Sequence, residues 1–563
     1  MTETRIQRAK ARLEELKLER LSWEQHWKDL GQHFTPRKGR WMLDAHEVNR
    51  GDKRNQKLLD GTPRYAARTL ASGMMSGLTS PARPWFRLVT PDAALMKSAS
   101  VKEWLEQVET RMRDVFAKSN IYNVLPSVYG ELGVIGTAPM MVLEDDEDII
   151  RARPYTVGSY YLANSSRLVV DTFYCEINMT VRQIVQEFVR QPDGSMDWSR
   201  VMPQTKALYD SNQLNNWIGV VHYIEPNADR EAGRADNRSM PFSSCFFEKA
   251  QGEDIFLRES GFEEFPVMAP RWETTGEDVY GSSPGMDALG DAKALQHQTK
   301  QKAKVIDKIA DPPMAGPPGL RNQRSSILPG DLTFVDFANG TPQFQPVYVP
   351  NPQAISVIRE DIENLRQLIS RGMFEDLFLM LAMSDRRQIT AREVAERHEE
   401  KLLMLGPVLE RLNDELLDPL IDRAFSIMLR RGLIPEPPEE IQGQDVKVEY
   451  ISVLAQAQKM VATGSIDRLA SYVGAVAAFN PEVVDKFDAD QSVDEYGTAL
   501  GVPAKTIRSD DAVAELRQMR QQQQNAQQMA AMAQPMKDMA TAAQTASQTQ
   551  VAGKSALDQM VGA

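Results

Sequence analysis

Tyr280-Gly281-Ser282-Ser283-Pro284-Gly285-Met286-Asp287-Ala288-Leu289 opens a stretch that runs to Val394 and whose reading decides the fold. Its pattern stays helical to about Ala310, and the span from Gly285 reaches roughly 39 Å if fully helical. Asp311-Pro312-Pro313-Met314-Ala315-Gly316-Pro317-Pro318-Gly319 then stops it, because proline and glycine end helices and suit an exposed tip. Leu332–Phe337 and Phe344–Val349 read as short strands able to pair with neighbours. A second helix returns over 353–373. The turn after it, Phe374-Glu375-Asp376-Leu377-Phe378-Leu379-Met380-Leu381, is too apolar to lie free in water and must pack against something. Arg386 and Arg387 come next, and Thr390-Ala391-Arg392-Glu393 fits a capping box for a third helix. None of this resembles a catalytic motif. A helical hairpin with a decorated tip is a building element, so the sequence points to an assembly.

The first hairpin helix carries Lys293, His297, Lys300, Lys304 and Lys308, which recur every three or four residues and so share one face. The returning helix carries Glu360, Asp361 and Glu363. Salt bridges between adjacent hairpins, a lysine ring facing a passing phosphate backbone, and plain solvent exposure all remain open. The apolar turn reads either as a buried connector or as a loop lining an opening, with Arg386 and Arg387 near nucleic acid.

Upstream, residues 3–31 read as an amphipathic helix with Ile6, Leu13, Leu16, Trp23, Trp27 and Leu30 on one face; Gly31 and Pro36 should end it. The basic segment from Arg37 to Arg64 is a surface loop near another subunit or a phosphate-contacting arm. Helices are expected over 62–78, rich in small residues, and over 100–118. The run Ser80-Pro81-Ala82-Arg83-Pro84 breaks between them, and Trp85-Phe86 begins a strand. From about 134 to 270 β-rich runs appear at Ala138–Leu143, Val169–Ile177, Trp217–Ile224 and Phe265–Pro270. The acidic run Glu144-Asp145-Asp146-Glu147-Asp148 reads as a solvated hairpin tip, since it sits between two apolar strands.

Downstream, 390–431 is strongly helical, with Pro407 and Pro419 expected to kink or divide it. Pro435, Pro437 and Pro438 mark a boundary, and a smaller helical unit occupies about 450–510, with Pro481 and Pro503 near helix starts. The tail is rich in Gln, Ala and Met. Met529, Met532, Met536 and Met539 repeat at coiled-coil spacing, and Pro535 is expected to interrupt the seam. That tail could be a barrel-forming helix or stay unfolded until a partner binds. The fold class is α+β, predominantly helical.

Composition sets bounds. Of 563 residues, 42% are hydrophobic, enough for a sizeable core, and no run of about 18 apolar residues predicts a membrane span. A net charge of −13 argues against tight, static nucleic-acid binding, yet an acidic wall suits a polyanion that must slide past. Cys175 and Cys245 allow one bridge at most, so a reducing compartment is expected. The start of the chain lacks an apolar signal core. Gly553-Lys554-Ser555 imitates the end of a phosphate-binding loop but has Gln548 where the leading glycine belongs. The six histidines show no ligand spacing. No cofactor, metal or catalytic residue is expected. A nuclease or packaging ATPase is disfavoured, and any movement of DNA must be driven by a partner.

Four segments carry a family resemblance: Trp23-Glu24-Gln25-His26-Trp27-Lys28-Asp29-Leu30, Ser76-Gly77-Leu78-Thr79-Ser80-Pro81-Ala82-Arg83-Pro84-Trp85-Phe86, Tyr280 to Leu289, and Ile389-Thr390-Ala391-Arg392-Glu393-Val394. In that order and spacing the chain resembles the head-to-tail connector, or portal, proteins of short-tailed, T7-like bacteriophages. The resemblance implies a homo-oligomeric ring, a dodecamer, at one capsid vertex; an inner-core or adaptor virion protein, assembled through its C-terminal coiled coil, is the alternative. Double-stranded DNA would enter through it under terminase and leave through it later, with no membrane involved. It implies capsid and scaffolding proteins as partners, assembly in the host cytoplasm, and a place in the virion. It implies a portal fold: N-terminal helices and an α/β wing over 1–279, stem helices over 280–310 and 353–373, a clip over 311–352, and a tunnel loop over 374–389. Long kinked wing helices over 390–439, a helical crown over 440–510 and a barrel helix or unfolded tail over 511–563 complete it. On that plan Arg386, Arg387, Lys300, Lys304 and Lys308 are DNA-channel candidates. Pro312, Pro313, Pro317, Pro318, Arg321 and Arg324 become candidates for docking terminase and then the tail adaptor.

Overall fold

Thr4 starts the first helix, Arg5–His33, with a reciprocal cap: its hydroxyl accepts from the Gln7 amide, and the Gln7 side chain accepts from the Thr4 amide. The computed structural model describes residues 4–38, 58–92, 95–231, 233–234, 236–250, 254–315, 345–346, 351, 353–379, 405–443, 446–493, 508, 510–548, 550–551 and 554–555. They form two units, Met1–Gly464 and Ser465–Ala563.

The first helix joins two cores. Ile6, Ala9, Leu13 and Leu16 pack with Tyr161, Tyr174, Val221 and Phe247, whereas Trp27 and Leu30 enter the main core. Gly31 does not end the helix as expected. It is buried, and the Phe34 amide still donates to the Leu30 carbonyl at 2.8 Å. A glycine inside a helix costs about 1 kcal/mol, less than burying Trp27 and Phe34 contributes, at roughly 1.5–3 kcal/mol each.

Thr62–Leu78 and Ala99–Lys118 are helices close to their expected bounds. Between 118 and 138 the chain forms a further helix, Ile121–Ile135, not anticipated from its sequence. The small residues around it allow backbones to approach: a side chain at Gly133 would meet Leu70 Cδ2 at 2.5 Å, and one at Gly73 would meet Phe378 Cβ at 2.4 Å.

The strands β1 (Phe86–Val89), β2 (Met140–Asp145), β3 (Ile149–Pro154), β4 (Tyr160–Asn164), β5 (Val170–Thr180), β6 (Trp217–Pro226), β7 (Phe242–Glu248), β8 (Phe256–Phe262) and β9 (Val267–Met268) make the β portion. β3-β2-β9 form one antiparallel sheet and β4-β5-β6-β7-β8 a second. The acidic run turns the β2–β3 hairpin, with Asp145 accepting from the amides of Glu147 and Asp148 and Arg431 bridging Glu144 and Asp146. Cys175 pairs across the sheet with His222, and Cys245 with Tyr223. Adjacent strand residues point to opposite faces, so the two thiols lie on different sides, both free.

His222 is buried, bonded to Ser244 Oγ at 3.0 Å and stacked on Phe246 at 3.8 Å. Burial, then the charges of Arg258 and Arg153, lower its pKa to about 3. The unfolded chain therefore takes up this proton first as pH falls below about 6.5, and the folded state loses up to about 1.4 kcal/mol per pH unit over that window. His222→Gln should flatten the fall in melting temperature between pH 6.5 and 4.5 relative to the parent. Parallel curves over that range would show that His222 is not linked to folding.

Beyond the hairpin, residues 405–412 are helical, Asn413–Leu417 is a π-turn, and Asp418–Arg430 continues as helix. Pro419 sits in the first turn after the break. It lacks the amide that a regular helix would use there, and the wider turn accommodates that loss. The chain then returns to its beginning: β10 (Lys447–Tyr450) pairs antiparallel with β1, and Val453 and Leu454 at the head of helix Val453–Ala477 are buried in the main core. The compact unit thus extends past residue 440, where a boundary was expected.

In the second unit Asn480 caps the short turn Pro481–Lys486, and Arg517 grips Asp490 at 2.6 and 2.8 Å. Asp510–Gln548 is one helix. Pro535 does not interrupt it. A proline removes one bond and bends a helix, and the bonds on either side carry the helix through. Pro503 lies outside the described residues.

Candidate channel hairpin and its root

The motif from Tyr280 to Gly285 is an anchor. Tyr280 is buried, its ring edge-on to Trp27 at 5.1 Å and tilted against Trp23 at 6.2 Å, and its hydroxyl accepts from the Leu162 amide at 3.1 Å. Burial raises the tyrosine pKa well above the usual range, so the hydroxyl stays protonated. The Gly281 amide donates to Thr137 Oγ1 at 2.8 Å. Ser283 Oγ donates to the Val134 carbonyl at 2.7 Å and accepts from the Met286 amide at 3.1 Å, and Pro284 takes the first helical position. Two sequence segments singled out separately, Trp23–Leu30 and Tyr280–Leu289, therefore meet at one aromatic contact. A third joins the same core: Trp85 Nε1 donates to Tyr122 at 3.1 Å, and Thr79 shares a 3.0 Å bond with Tyr129. The fourth, Ile389–Val394, lies outside the described residues.

The first hairpin helix is not continuous from Pro284. A turn, Pro284–Asp287, precedes the helix Leu289–Ala310, which packs along Gln353–Gly372. Gln296 fixes the root. Its Oε1 accepts from the Leu59 and Asp60 amides at 2.7 and 2.9 Å, and its Nε2 donates to the Asp60 carbonyl at 2.9 Å. The Asp60 carboxylate takes the Thr62 hydroxyl at 2.6 Å and Arg366 Nη2 at 2.8 Å. Burial raises the Asp60 pKa, but the bonds from Thr62 and Arg366 outweigh it and leave it below the usual carboxylate value. Asp60 thus ties together both hairpin helices and the start of Thr62–Leu78, its backbone holding Gln296 and its carboxylate holding Thr62 and Arg366. This knot joins three distant segments, and no local pattern announces it.

Burial stops abruptly along the hairpin. Leu289, Ala292, Leu295 and Gln296 are buried in the first helix and nothing after them; Ile362 and Ile369 are buried in the second. Val357 is 65% exposed and Ile306 44%. The basic stripe divides at the same point. Lys293 bonds Asp29 of its own chain at 2.6 Å, so the first lysine is spent on the N-terminal helix and not on a neighbour. His297 contacts Gln301, and Lys300, Lys304 and Lys308 lie on the exposed surface beyond. Glu360 is exposed and Asp361 half-buried, while Glu363 reaches Arg366 at 3.2 Å.

Pro312 is half-buried and Pro313 exposed. Met314–Ala315 pairs with Gln345–Pro346 of the same chain, closing the base of the excursion. Leu332–Phe337, Pro317, Pro318, Arg321, Arg324, Arg386 and Arg387, with the capping box at Thr390, lie outside the described residues. The start of the apolar turn is described. Residues 375–379 are helical, Leu377 and Phe378 are buried, and Phe374 lies 6.2 Å from Trp272.

A last cluster holds the helices after the hairpin to the sheets. Arg271, 4% exposed, donates to both Glu415 oxygens at 2.6–3.2 Å, and its amide bonds Glu415 Oε2 at 2.8 Å. Arg423 Nε donates to the Val142 carbonyl at 2.8 Å. Among the described residues no group of three His, Cys, Asp or Glu could hold a metal ion, and no helix is long and apolar enough to cross a membrane.

A two-helix hairpin rooted in an α+β body is the framework that the described residues define. The chain belongs to the bacteriophage head-to-tail connecting protein family, whose profile matches residues 6–507. It is 47% identical to the portal protein of Salmonella phage epsilon15 over 564 aligned residues, spanning 100% of this chain and 99% of that one. It is 44% identical to the probable portal protein of Bordetella phage BPP-1, over 92% and 91% of the two chains. A chain in the virion of a native gene transfer agent particle aligns over 74% of this chain and 86% of its own at 10% identity, with a TM-score of 0.32, too low to carry an argument. The role is that of a head-to-tail connector, a structural phage component and not an enzyme; the adaptor alternative is not favoured.

Proposed function

We propose that this chain is one stave of a portal ring, twelve copies surrounding a channel at one capsid vertex through which double-stranded DNA is packaged and later ejected. The observation that carries it is the bare outer half of the hairpin. Past Gln296 the first helix has no buried residue, and its partner exposes Val357 and Leu368. Two helices with apolar side chains in water need neighbours, and identical hairpins side by side supply them. Both relatives, matched along nearly their whole length, bear the portal name.

On this reading 284–310 and 353–371 are the stem, and Lys300, Lys304 and Lys308 face the lumen or the next stem. Residues 311–352, with Pro312, Pro313, Pro317, Pro318, Arg321 and Arg324, form the clip that receives terminase and then the tail adaptor. Residues 374–389 form the tunnel loop, 390–439 the kinked wing helices, 440–510 the crown and 511–563 the barrel helix. Capsid and scaffolding proteins hold the ring in the shell, and assembly takes place in host cytoplasm.

Native mass measurement of the purified full chain tests this. A closed ring is expected; a monomer at high concentration and beside its capsid partners would refute it. Replacing Arg386 and Arg387 together by alanine should leave rings intact and change the amount of DNA packaged or retained per particle. Unchanged DNA content would return both arginines to a structural role.

A further inference from the structure

Where the first helix ends, the chain builds a cleft. It encloses about 270 Å³ between Phe34–Lys38, the helix Thr62–Leu78 and the helix Ile121–Ile135. Its floor is apolar, made by Phe34, Ala67, Ala71 and Pro126, and its rim is cationic. Lys38 is occupied: it bonds Glu131 at 3.1 Å and Ser127 at 3.0 Å. Arg37, Arg64 and Arg68 are different. Arg37 and Arg68 are exposed, Arg64 is half-buried, and no acidic side chain among the described residues bridges any of the three. Arg64 and Arg68 stand one turn apart on one helix, where like charges repel. In a chain of net charge −13, three guanidinium groups around one opening with no acidic bridge among the described residues are conspicuous.

We infer that this cleft receives an acidic, partly apolar segment of the neighbouring copy of this chain. The inference rests on the proposed ring. A ring interface is head-to-tail, so each copy needs two unlike, complementary faces. Guanidinium groups above an apolar floor match a carboxylate-bearing peptide: the arginines take carboxylates in paired hydrogen bonds, and the floor takes an aliphatic or aromatic side chain. A phosphate backbone would use the cations and leave the floor empty, because such contacts are polar and track the strand. The chain's excess of carboxylates supplies the complementary face.

The test compares the full-length parent with Arg64→Glu/Arg68→Glu by sedimentation and native mass, alongside binding of a short fluorescent duplex. The parent should form rings that loosen as salt rises. The double variant should melt at the parent temperature yet need at least about tenfold more protein to assemble, the scale of losing one charge-assisted contact. Arg68→Glu alone, at an exposed position, should shift assembly in the same direction and provides the measurement if the double variant fails to fold. Assembly of the variants at parent concentrations overturns the cleft as an interface while leaving the ring standing. Normal assembly with weakened duplex binding overturns it in favour of nucleic acid. A parent that never assembles refutes the ring, and this inference falls with it.

Discussion

Glu415→Ala is expected to lower the stability of the first unit by about 3–5 kcal/mol, the usual effect of removing one partner from a buried ion pair. Arg271 would remain buried, with only the carbonyls of Leu168 at 2.9 Å and Asp278 at 3.3 Å and the Asn164 side chain to satisfy it. The carboxylate reaches it because the π-turn Asn413–Leu417 adds a residue to the helix and rotates the succeeding turn. Glu415→Gln keeps one acceptor and should cost less, about 1–2 kcal/mol. Urea midpoints of the two variants and the parent decide. A Glu415→Ala midpoint equal to the parent's would mean that the pair, despite its geometry, contributes nothing net.

Gly136→Ala should be at least as damaging, on the order of 4 kcal/mol or more, through backbone alone. Gly136 has φ 89°, and a Cβ there would stand 2.1 Å from the Gly281 carbonyl oxygen and 2.6 Å from its carbon. Neither atom belongs to a side chain that could swing aside. The root of the hairpin would have to open, and rings should fail with it. Gly194 is the internal control. Its φ is 83°, but nothing lies within 4 Å of a Cβ placed there. Gly194→Ala should therefore show only the conformational penalty, about 1–2 kcal/mol. Equal melting temperatures for the two alanine variants would remove close approach as the cause.

These two sites show what could be read from the sequence and what could not. The hairpin helices were legible because Pro284 and Asp311–Pro313 punctuate them and because a basic stripe recurs at helical spacing along the first. The aromatic segment around Trp27 and the opening at Tyr280 were each visible as unusual, but their contact was not. Ile121–Ile135 escaped because most of its residues are buried, so it has no polar face to set the period, and Pro126 within it argues against helix. β7 escaped for a similar reason: packed on both faces, Phe242–Glu248 does not alternate. Gly31 and Pro535 were read as helix ends on local propensity, and packing or the bonds on either side prevailed. Glu415 and Asp60 could not be found from sequence, since each acts on an arginine brought to it by the tertiary fold.

The pairing of β1 with β10 has a consequence for synthesis. Phe86–Val89 leaves the ribosome early and stays unmatched until Lys447–Tyr450 emerges, after the entire hairpin has been made. Contacts so distant in sequence form slowly, and an edge strand left waiting is prone to pair wrongly. A nascent chain therefore holds back its final closure until nearly all of it has been translated. On the proposed ring, a subunit reaches its finished form only after nearly all of it has left the ribosome.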